Sequence, residues 1–294
     1  MRRRDFLVAG LSGLAPLAPD ASSAVRWLTW TQQREALADI ERRVACRLGV
    51  AALDTGSGRR LAYRSDERFP MCSTFKLLLV AQVLSRCDAS REQLSRVVPY
   101  GPGDLLEYAP VTRAHVAEGG MSVAALAEAA IEYSDNTAAN LLLGTVGGPA
   151  AFTGNLRNIG DDVTRLDRVE PDLNSAMPGD RRDTTTPDAM LGDMERLLVG
   201  RRLAPASRER LLGWLVANTT GGARIRAGLP PDWRVGDKTG TGAHGATDDV
   251  AIVWPAGRSP VLVAAYLTET DAAAGDRDAA LAAVGRLVTR WAGG

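Results

Sequence analysis

Residues 233–242 read WRVGDKTGTG, and two further strand-like segments follow, DDVAIVWP (248–255) and SPVLVAAYLTE (259–269). Their content of β-branched and apolar residues predicts three successive strands. A second group of strand-like sequence lies near the other end of the chain. LGVAALD (48–54) and RLAYRS (60–65) are joined by the turn TGSGR, a pattern typical of a hairpin. The predicted strands therefore lie towards the two ends of the chain.

The sequence between these strands has the apolar spacing of helices. It is clearest in STFKLLLVAQVLSRC, SVAALAEAAIEYS, NTAANLLLGTVGG and TPDAMLGDMERLLVG. Further helices are predicted at 29–46, starting at Thr29 or Thr31, and at 276–291. We therefore predict an α/β (α+β) fold in which both chain ends form one five-stranded, mainly antiparallel sheet with flanking helices.

The predicted organisation has two parts. Residues 25–64 and 216–294 form an α/β domain, and residues 65–215 form an all-helical insertion. A cleft between two such parts is the natural place for a functional site.

The first 24 residues, MRRRDFLVAGLSGLAPLAPDASSA, have the features of an export signal. Charged residues precede an apolar stretch that is too short to span a membrane, and small residues follow. The run RRDFL (3–7) resembles a twin-arginine signal, and an ordinary secretory signal is the alternative. The sequence thus predicts a periplasmic or secreted protein with no membrane segment once the signal is removed.

The charged residues balance at 35 basic and 35 acidic, so the net charge gives no reason to expect nucleic acid or an anionic membrane as a partner. Only two of the basic residues are lysines, Lys76 and Lys238. Arginine keeps its proton in proteins, whereas a desolvated lysine can release one. Drift in codon usage is the simpler explanation, but both lysines are candidate functional residues.

Cysteine and histidine give no sign of a metal site. Cys46, Cys72 and Cys87 have no zinc-site or disulfide-framework spacing, and their odd number leaves at least one thiol free. His115 and His244 also lack ligand spacing, so we predict no metal and no cofactor. His244 has no evident orienting partner in its Gly-rich loop, which argues against a Ser-His-Asp hydrolase.

Two motifs place reactive groups on predicted helices. In Ser73-x-x-Lys76 the hydroxyl and the amine share one helix face, and a desolvated lysine can act as a base for the serine. A capping serine with a lysine that extends to solvent is the alternative.

Ser134-Asp135-Asn136 ends one helix and begins the next. Capping by Asp135 or Asn136 would leave a hydroxyl and a carboxamide for the cleft.

A third motif, Lys238-Thr239-Gly240, lies on a predicted strand. Alternation sends Lys238 and Gly240 to one face, with Thr239 and Thr241 on the other. Glycine allows close backbone approach, as when a strand edge lies along a ligand. A solvated cationic strand face is the alternative.

The fourth motif, EPDLN (170–174), lies in the longest irregular stretch, residues 165–187. Loops of this length are usually functional or disordered. Glu170 and Asn174 could hold one water between them, and the flanking Arg168 and Asp183 could pair to close the loop. A solvated surface loop with an incidental ion pair is the alternative.

Together and in this order, these motifs resemble those of the class A serine β-lactamases, from about residue 25 to 291. Ser-x-x-Lys, Ser-Asp-Asn and Lys-Thr-Gly also occur in penicillin-binding proteins, whereas EPDLN separates the two families. The resemblance implies a β-lactamase/transpeptidase-like fold. It also implies a monomer that hydrolyses penicillins and cephalosporins through a serine acyl-enzyme and so confers resistance. A penicillin-binding DD-peptidase or transpeptidase, or a non-hydrolytic β-lactam sensor, is the alternative.

The resemblance further implies catalytic roles. Ser73 is the nucleophile, Lys76 assists it, and Glu170 is a general base acting through a water that Asn174 helps to hold. Whether Lys76 or Glu170 activates Ser73 stays open. Ser134 passes a proton to the departing lactam nitrogen.

The remaining implied residues contact the substrate. The backbone N–H groups of Ser73 and Thr241 form the oxyanion hole. Asn136 contacts the acylamide side chain and Tyr108 walls the cleft mouth. The substrate carboxylate is bound by Lys238, Thr239, Gly240 and Thr241, together with Arg224.

The role of Arg224 is implied by the resemblance. Many members supply an arginine from the strand after Lys-Thr-Gly, but Thr247 stands at that place here. Some relatives supply the cation from an upstream helix, where Arg224 matches. Arg226 is the competitor, and we expect it to be a surface residue.

Cys72 matches a cysteine that, in some carbapenem-hydrolysing relatives, pairs with one just after Lys-Thr-Gly. Gly242 stands at the partner position here, so the resemblance implies an unpaired, buried Cys72. This places carbapenem hydrolysis in doubt.

Overall fold

A computed structural model describes residues 29–292, and the predicted export signal at 1–24 lies outside them. The strands are β1 (Arg47–Asp54), β2 (Arg60–Tyr63), β3 (Phe69–Pro70), β4 (Val97–Pro99), β5 (Gly120–Ser122), β6 (Thr184–Thr185), β7 (Arg234–Thr241), β8 (Thr247–Trp254) and β9 (Val261–Thr268). The helices are α1 (Trp30–Arg43), α2 (Phe75–Asp88), α3 (Pro110–His115), α4 (Val123–Glu132), α5 (Asn136–Thr145), α6 (Gly148–Ile159), α7 (Pro187–Met194), α8 (Pro205–Ala217) and α9 (Ala274–Ala292).

Five strands form the main sheet in the order β2-β1-β9-β8-β7, and every neighbouring pair is antiparallel. β1 and β2 come from the start of the chain and β7, β8 and β9 from its end. The predicted sheet of both chain ends is therefore confirmed. Strand β7, which carries the Lys-Thr-Gly motif, is an edge strand of this sheet and so can lie along a cleft.

Both faces of the sheet are covered by helices. Alternate residues of β9 point to opposite faces, as the two-residue period of a strand requires. Val263 and Ala265 belong to a core with residues of α1 and α9. Ala264 and Tyr266 belong to a second core with residues of α2, α4 and α5. The sheet therefore separates the terminal helices from the helices of the insertion.

The insertion between β2 and β7 is mostly helical, but it also contains four short strands that the sequence does not predict. β3 pairs with β6, and β4 pairs with β5, each as a small antiparallel ladder. The ladder of β3 and β6 matters for the site. It joins the strand just before Ser73 to the segment that follows the EPDLN loop.

None of the helices between residues 29 and 292 combines the length and apolar character that crossing a membrane requires.

Cys46, Cys72 and Cys87 are all free thiols that form no disulfide. Burial raises the pKa of the Cys46 thiol to about 12.

Two buried carboxyl groups, Asp161 and Asp193, join the turn after α6 to helix α7. The two carboxyl groups lie close enough for the charge of Asp161 to act on Asp193. Asp161 Oδ1 also accepts the N–H groups of Val163 and Thr164, at 2.8 and 3.0 Å. Arg196 donates to Asp193 Oδ1 at 2.9 Å. Burial, and then the charge of Asp161, raises the pKa of Asp193 to about 8, so Asp193 holds a proton near neutral pH.

The variant Asp193→Asn should remove the part of the pH dependence of stability that Asp193 causes. A carboxyl whose pKa is raised on folding stabilises the fold fully below its unfolded value of 3.8, and this contribution is lost as the pH rises towards 8. From this group alone we expect a loss on the order of 5 kcal/mol of unfolding free energy across that window, since each unit of pKa shift corresponds to about 1.4 kcal/mol. Asp193→Asn should show a flatter profile, measured by urea denaturation at several pH values.

The matched control is Asp162→Asn, because Asp162 is exposed beside the pair. It should keep the wild-type slope. Parallel profiles for the wild type and Asp193→Asn would contradict the raised pKa of Asp193.

Candidate active site

Ser73 lies in a 3₁₀ turn, Cys72–Thr74, that leads directly into α2. Cys72 enters the turn with φ of 42°, in the left-handed region that most residues avoid. Thr74 Oγ1 donates to the carbonyl of Met71 at 2.7 Å and holds the turn closed. Helix α2 then places Lys76 in its first turn, one helical step from Ser73.

The two lysines of the chain converge on one hydroxyl. Lys238 Nζ donates to Ser134 Oγ at 3.0 Å, and Lys76 Nζ lies 3.4 Å from the same oxygen. Lys76 also donates to the Ser134 carbonyl at 2.8 Å and to Asn136 Oδ1 at 2.7 Å. Both lysine side chains are completely buried. The structure thus brings three separate sequence motifs into contact through two ammonium groups.

Burial has a direct effect on both amines. It lowers the pKa of Lys76, although the carboxylate of Glu170 lies only 3.0 Å away and opposes the shift. Burial, and then the positive charge of Lys76, lowers the pKa of Lys238 well below its usual value. Both groups therefore release a proton more readily than an exposed lysine would.

Glu170 completes this network. Its Oε1 accepts a hydrogen bond from Ser73 Oγ at 3.3 Å and lies beside Lys76 Nζ. Its Oε2 accepts one from Asn174 Nδ2. The sequence analysis missed Asn140, which donates to the Glu170 carbonyl at 2.9 Å and accepts its N–H at 3.0 Å. The only hint was that Asn140 lies one helical turn after Asn136.

The loop that carries Glu170 is closed as predicted. Arg168 Nε donates to Asp183 Oδ2 at 2.6 Å, and Asp183 Oδ1 accepts the N–H groups of Asp167 and Arg168. The carbonyl of Asp183 accepts the N–H of Met71 at 2.9 Å. These contacts tie the loop to the turn that holds Ser73.

Asp135 caps α5, which confirms one of the two predicted caps. Its Oδ1 accepts the N–H of Ala138 at 2.9 Å, and its Oδ2 accepts backbone N–H groups at the start of α3. The cap leaves the neighbouring side chains of Ser134 and Asn136 free to meet the lysines.

A cleft of about 360 Å³ opens above these groups. It is lined by Ser73, Tyr108, Ser134, Asn136, Asn174, Thr220, Arg224, Thr239 and Thr241. Lys76, Glu170, Lys238 and Gly240 lie behind this lining. Tyr108 is half exposed at 52%, as expected of a residue at the cleft mouth. Thr220 is a further residue that the sequence analysis missed, and its hydroxyl lies 2.6 Å from that of Thr239.

Arg224 is fixed in the cleft wall by several acceptors. It donates to Asp278 Oδ1 at 2.9 Å, to the Gly240 carbonyl at 2.7 Å and to Thr241 Oγ1 at 2.7 Å. Arg226 is not the surface residue that we expected. It is partly buried and pairs with Asp237, whose carboxylate lies inside the protein and needs a counter-charge.

Motifs from early and late in the sequence thus meet within hydrogen-bonding distance at the hydroxyl of Ser134. A family model for the β-lactamase enzyme family matches residues 32–292. The chain belongs to the β-lactamase family. Within that family it is 48% identical to β-lactamase AST-1 of Nocardia asteroides, over 97% of this chain and 94% of that protein. It is 51% identical to β-lactamase L2 of Stenotrophomonas maltophilia, over 87% of this chain and 84% of that protein.

Solved β-lactamase structures agree with this assignment. An ancestral (GNCA) class A β-lactamase superposes with a TM-score of 0.87 at 62% identity, covering 88% of this chain and 99% of that chain. A putative class A β-lactamase, PenP from Rhodopseudomonas palustris, gives a TM-score of 0.86 at 51% identity, over 87% of this chain and 98% of that one. The predicted resemblance to class A β-lactamases is confirmed.

Gly242 lies against Cys72 in this β-lactamase, as the resemblance implied. A Cβ added at Gly242 would be 2.8 Å from Cys72 Sγ. The thiol is completely buried, and burial raises its pKa well above the usual value. Cys72 is therefore held as an unreactive thiol beside Ser73.

Gly240→Ala should damage the site. A Cβ at Gly240 would lie 2.9 Å from the Met71 carbonyl and 3.1 Å from Cys72 Cβ, so β7 would be pushed away from the serine turn. We expect a loss of about 1–3 kcal/mol in stability and a lower kcat/KM for a cephalosporin. Gly213→Ala is the control, because this exposed helical position has open space. Equal effects of the two variants would refute the close approach.

Proposed function

We propose that this β-lactamase hydrolyses the lactam ring of penicillins and cephalosporins through an acyl-enzyme on Ser73. The observation that carries the proposal is the shared contact of Glu170 Oε1 with both Ser73 Oγ and Lys76 Nζ, at 3.3 and 3.0 Å. A nucleophile, a base and a cation that orients the base are the parts that acyl transfer requires.

In the acylation step, Ser73 Oγ bonds to the lactam carbonyl carbon and the carbon–nitrogen bond of the ring breaks. The contact distances favour Glu170 as the group that takes the serine proton, because its oxygen accepts the hydrogen bond from Ser73. The ammonium group of Lys76 stabilises the negative charge of the Glu170 carboxylate. The backbone N–H groups of Ser73 and Thr241 stabilise the oxyanion that forms on the carbonyl oxygen.

The departing lactam nitrogen needs a proton. Ser134 is placed to supply it, because its hydroxyl faces the cleft and lies between two amines. The lowered pKa of Lys76 and of Lys238 allows either amine to exchange a proton with this hydroxyl. The proton that Glu170 takes from Ser73 passes through Lys76 to Ser134, which leaves Glu170 as a carboxylate for deacylation.

Deacylation needs a water that attacks the ester of Ser73. Glu170 accepts the proton of that water, and Asn174, which hydrogen-bonds to the other carboxylate oxygen, helps to position it. The bond between the acyl carbon and Ser73 Oγ breaks, Glu170 returns the proton to Ser73 Oγ, and the ring-opened product departs. The pairing of Glu170 with Asn174 supports a hydrolase over a penicillin-binding DD-peptidase or transpeptidase, or a non-hydrolytic sensor.

Substrate binding follows from the cleft lining. Arg224 and the hydroxyls of Thr239 and Thr241 surround one end, where a substrate carboxylate fits. Lys238 lies behind them and adds positive charge. Asn136 and Tyr108 line the opposite wall, where the acylamide side chain of a penicillin or cephalosporin would lie.

The wider context of the enzyme is also a proposal. Residues 1–24 direct export, so the enzyme acts in the periplasm or outside the cell and confers β-lactam resistance. Residues 25–64 with 216–294 form one domain and residues 65–215 the other. The enzyme acts as a monomer without nucleic acid.

Glu170→Ala should trap the acyl-enzyme. Without the carboxylate, deacylation should slow on the order of 10²–10⁴-fold, and intact mass should show one acyl group on Ser73. Glu195→Ala, an exposed glutamate at the end of α7, should hydrolyse a chromogenic cephalosporin at the wild-type rate. Fast turnover by Glu170→Ala would exclude its role in deacylation. Wild-type protein that is acylated but never turns over would favour the peptidase or sensor.

Arg224→Ala should weaken use of substrates that carry the carboxylate. Loss of a charge-assisted hydrogen bond should lower kcat/KM about 10–100-fold. Arg224 also supports the Gly240 carbonyl, so a methyl ester of the same substrate separates the two roles. The ester should show a much smaller difference between variant and wild type. An equal loss for acid and ester would assign Arg224 to structure alone.

A further inference from the structure

A second cleft lies between helices α2 and α6, and it shares no lining residue with the cleft above Ser73. Its volume is about 260 Å³. Its floor is apolar and consists of Leu78 and Ala81 from α2, Leu156 and Ile159 from α6, and Leu197. Leu78 and Ala81 are three residues apart, so they lie on one face of α2.

Polar side chains in this cleft are already engaged with one another. Gln82 Nε2 donates to the carbonyl of Phe152 at 3.1 Å, and Asn155 Nδ2 donates to Gln82 Oε1 at 3.3 Å. These bonds hold α2 and α6 at a fixed separation. The cleft is therefore a preformed feature of the helix pair.

Three arginines line the cleft, Arg86, Arg91 and Arg202. Among residues 29–292, none of the three guanidinium groups has a carboxylate within 4.0 Å. The Nε of Arg86 is buried and donates to no acceptor within the same part of the chain. A buried donor without an acceptor is costly, so a ligand that carries an acceptor would stabilise this site.

The acidic residues beside these arginines are occupied elsewhere. Glu92 accepts two hydrogen bonds from Arg96, at 2.7 and 2.6 Å. Asp88 accepts the N–H of Ala204 at 2.8 Å and the hydroxyl of Ser207 at 2.6 Å. The hydrogen bonds from Arg96, and to a smaller extent the charge of Arg86, lower the pKa of Glu92, but neither carboxylate lies within 4.0 Å of an arginine that lines the cleft.

We propose that this cleft binds a small molecule that carries a carboxylate on an aliphatic body, of the size of a medium-chain fatty acid. The carboxylate pairs with the arginines, whose forked donors match its two oxygens. The aliphatic chain covers the apolar floor. Charge and shape together select an anion with an apolar tail over either a simple anion or a neutral chain.

The probe is octanoate, titrated into the purified full chain and followed by calorimetry and by backbone amide NMR shifts. Acetate carries the charge alone and octan-1-ol carries the chain alone. Octanoate should bind at least tenfold more tightly than either, with shifts confined to α2, α6 and the residues around Leu197. Equal binding of octanoate and octanol, or shifts centred on the Ser73 cleft, would overturn the proposal.

Variants test the arginines directly. Arg86→Gln combined with Arg91→Gln should weaken octanoate binding roughly tenfold or more, whereas Arg290→Gln, an exposed arginine of α9, should leave it unchanged. Arg86→Lys keeps the charge without the forked donors and should give an intermediate affinity. This milder change covers the case in which the double variant unfolds. Wild-type affinity in both Arg86 variants would refute the site.

Discussion

The site depends on one costly arrangement, the burial of two ammonium groups around a single hydroxyl. Lys76 and Lys238 both lie within hydrogen-bonding distance of Ser134 Oγ, and both are completely buried. Desolvation and mutual repulsion oppose this arrangement. Of these two lysines, only Lys76 has a carboxylate within 4.0 Å among residues 29–292, and that carboxylate belongs to Glu170. Removing Glu170 would therefore affect not one residue but the charge balance of the whole cluster.

The fold holds this cluster with elements from distant parts of the chain. The edge strand β7 presents Lys238, the first turn of α2 presents Lys76, and the loop before β6 presents Glu170. Glycine at position 240 lets β7 approach the serine turn, because any Cβ there would clash with Met71 and Cys72. Since three separate segments meet at one point, a shift in any one of them changes the distances at the reacting atoms.

The sequence predicted those parts of the structure that leave a local signal. The strands of the main sheet have apolar runs, Thr29 caps α1 as one of the two predicted starts, and the two lysines stand out in an arginine-rich chain. Asn140 and Thr220 were missed because their importance lies in contacts with Glu170 and Thr239, far away in the sequence. Arg226 was wrongly predicted to be a surface residue for the same reason, since its partner Asp237 lies on another element.

The short strands of the insertion show a related limit. β3 and β6 have two residues each, too few to display the alternation that identifies a strand. The burial of Asp161 and Asp193 could not be predicted either, because single aspartates in a turn and in a helix look like ordinary solvated residues. Their meaning comes from burial, which only the folded chain provides.

The same charge balance bears on which group activates Ser73. With Glu170 in place, its carboxylate stabilises the charged form of Lys76 and itself accepts the hydrogen bond from Ser73. Without Glu170, Lys76 loses its stabilising partner while Lys238 still repels its charge, so the pKa of Lys76 must fall further. A neutral Lys76 is then a competent base for the serine. Acylation can therefore survive the loss of Glu170 even if Glu170 is the base in the intact enzyme, whereas deacylation has no such substitute.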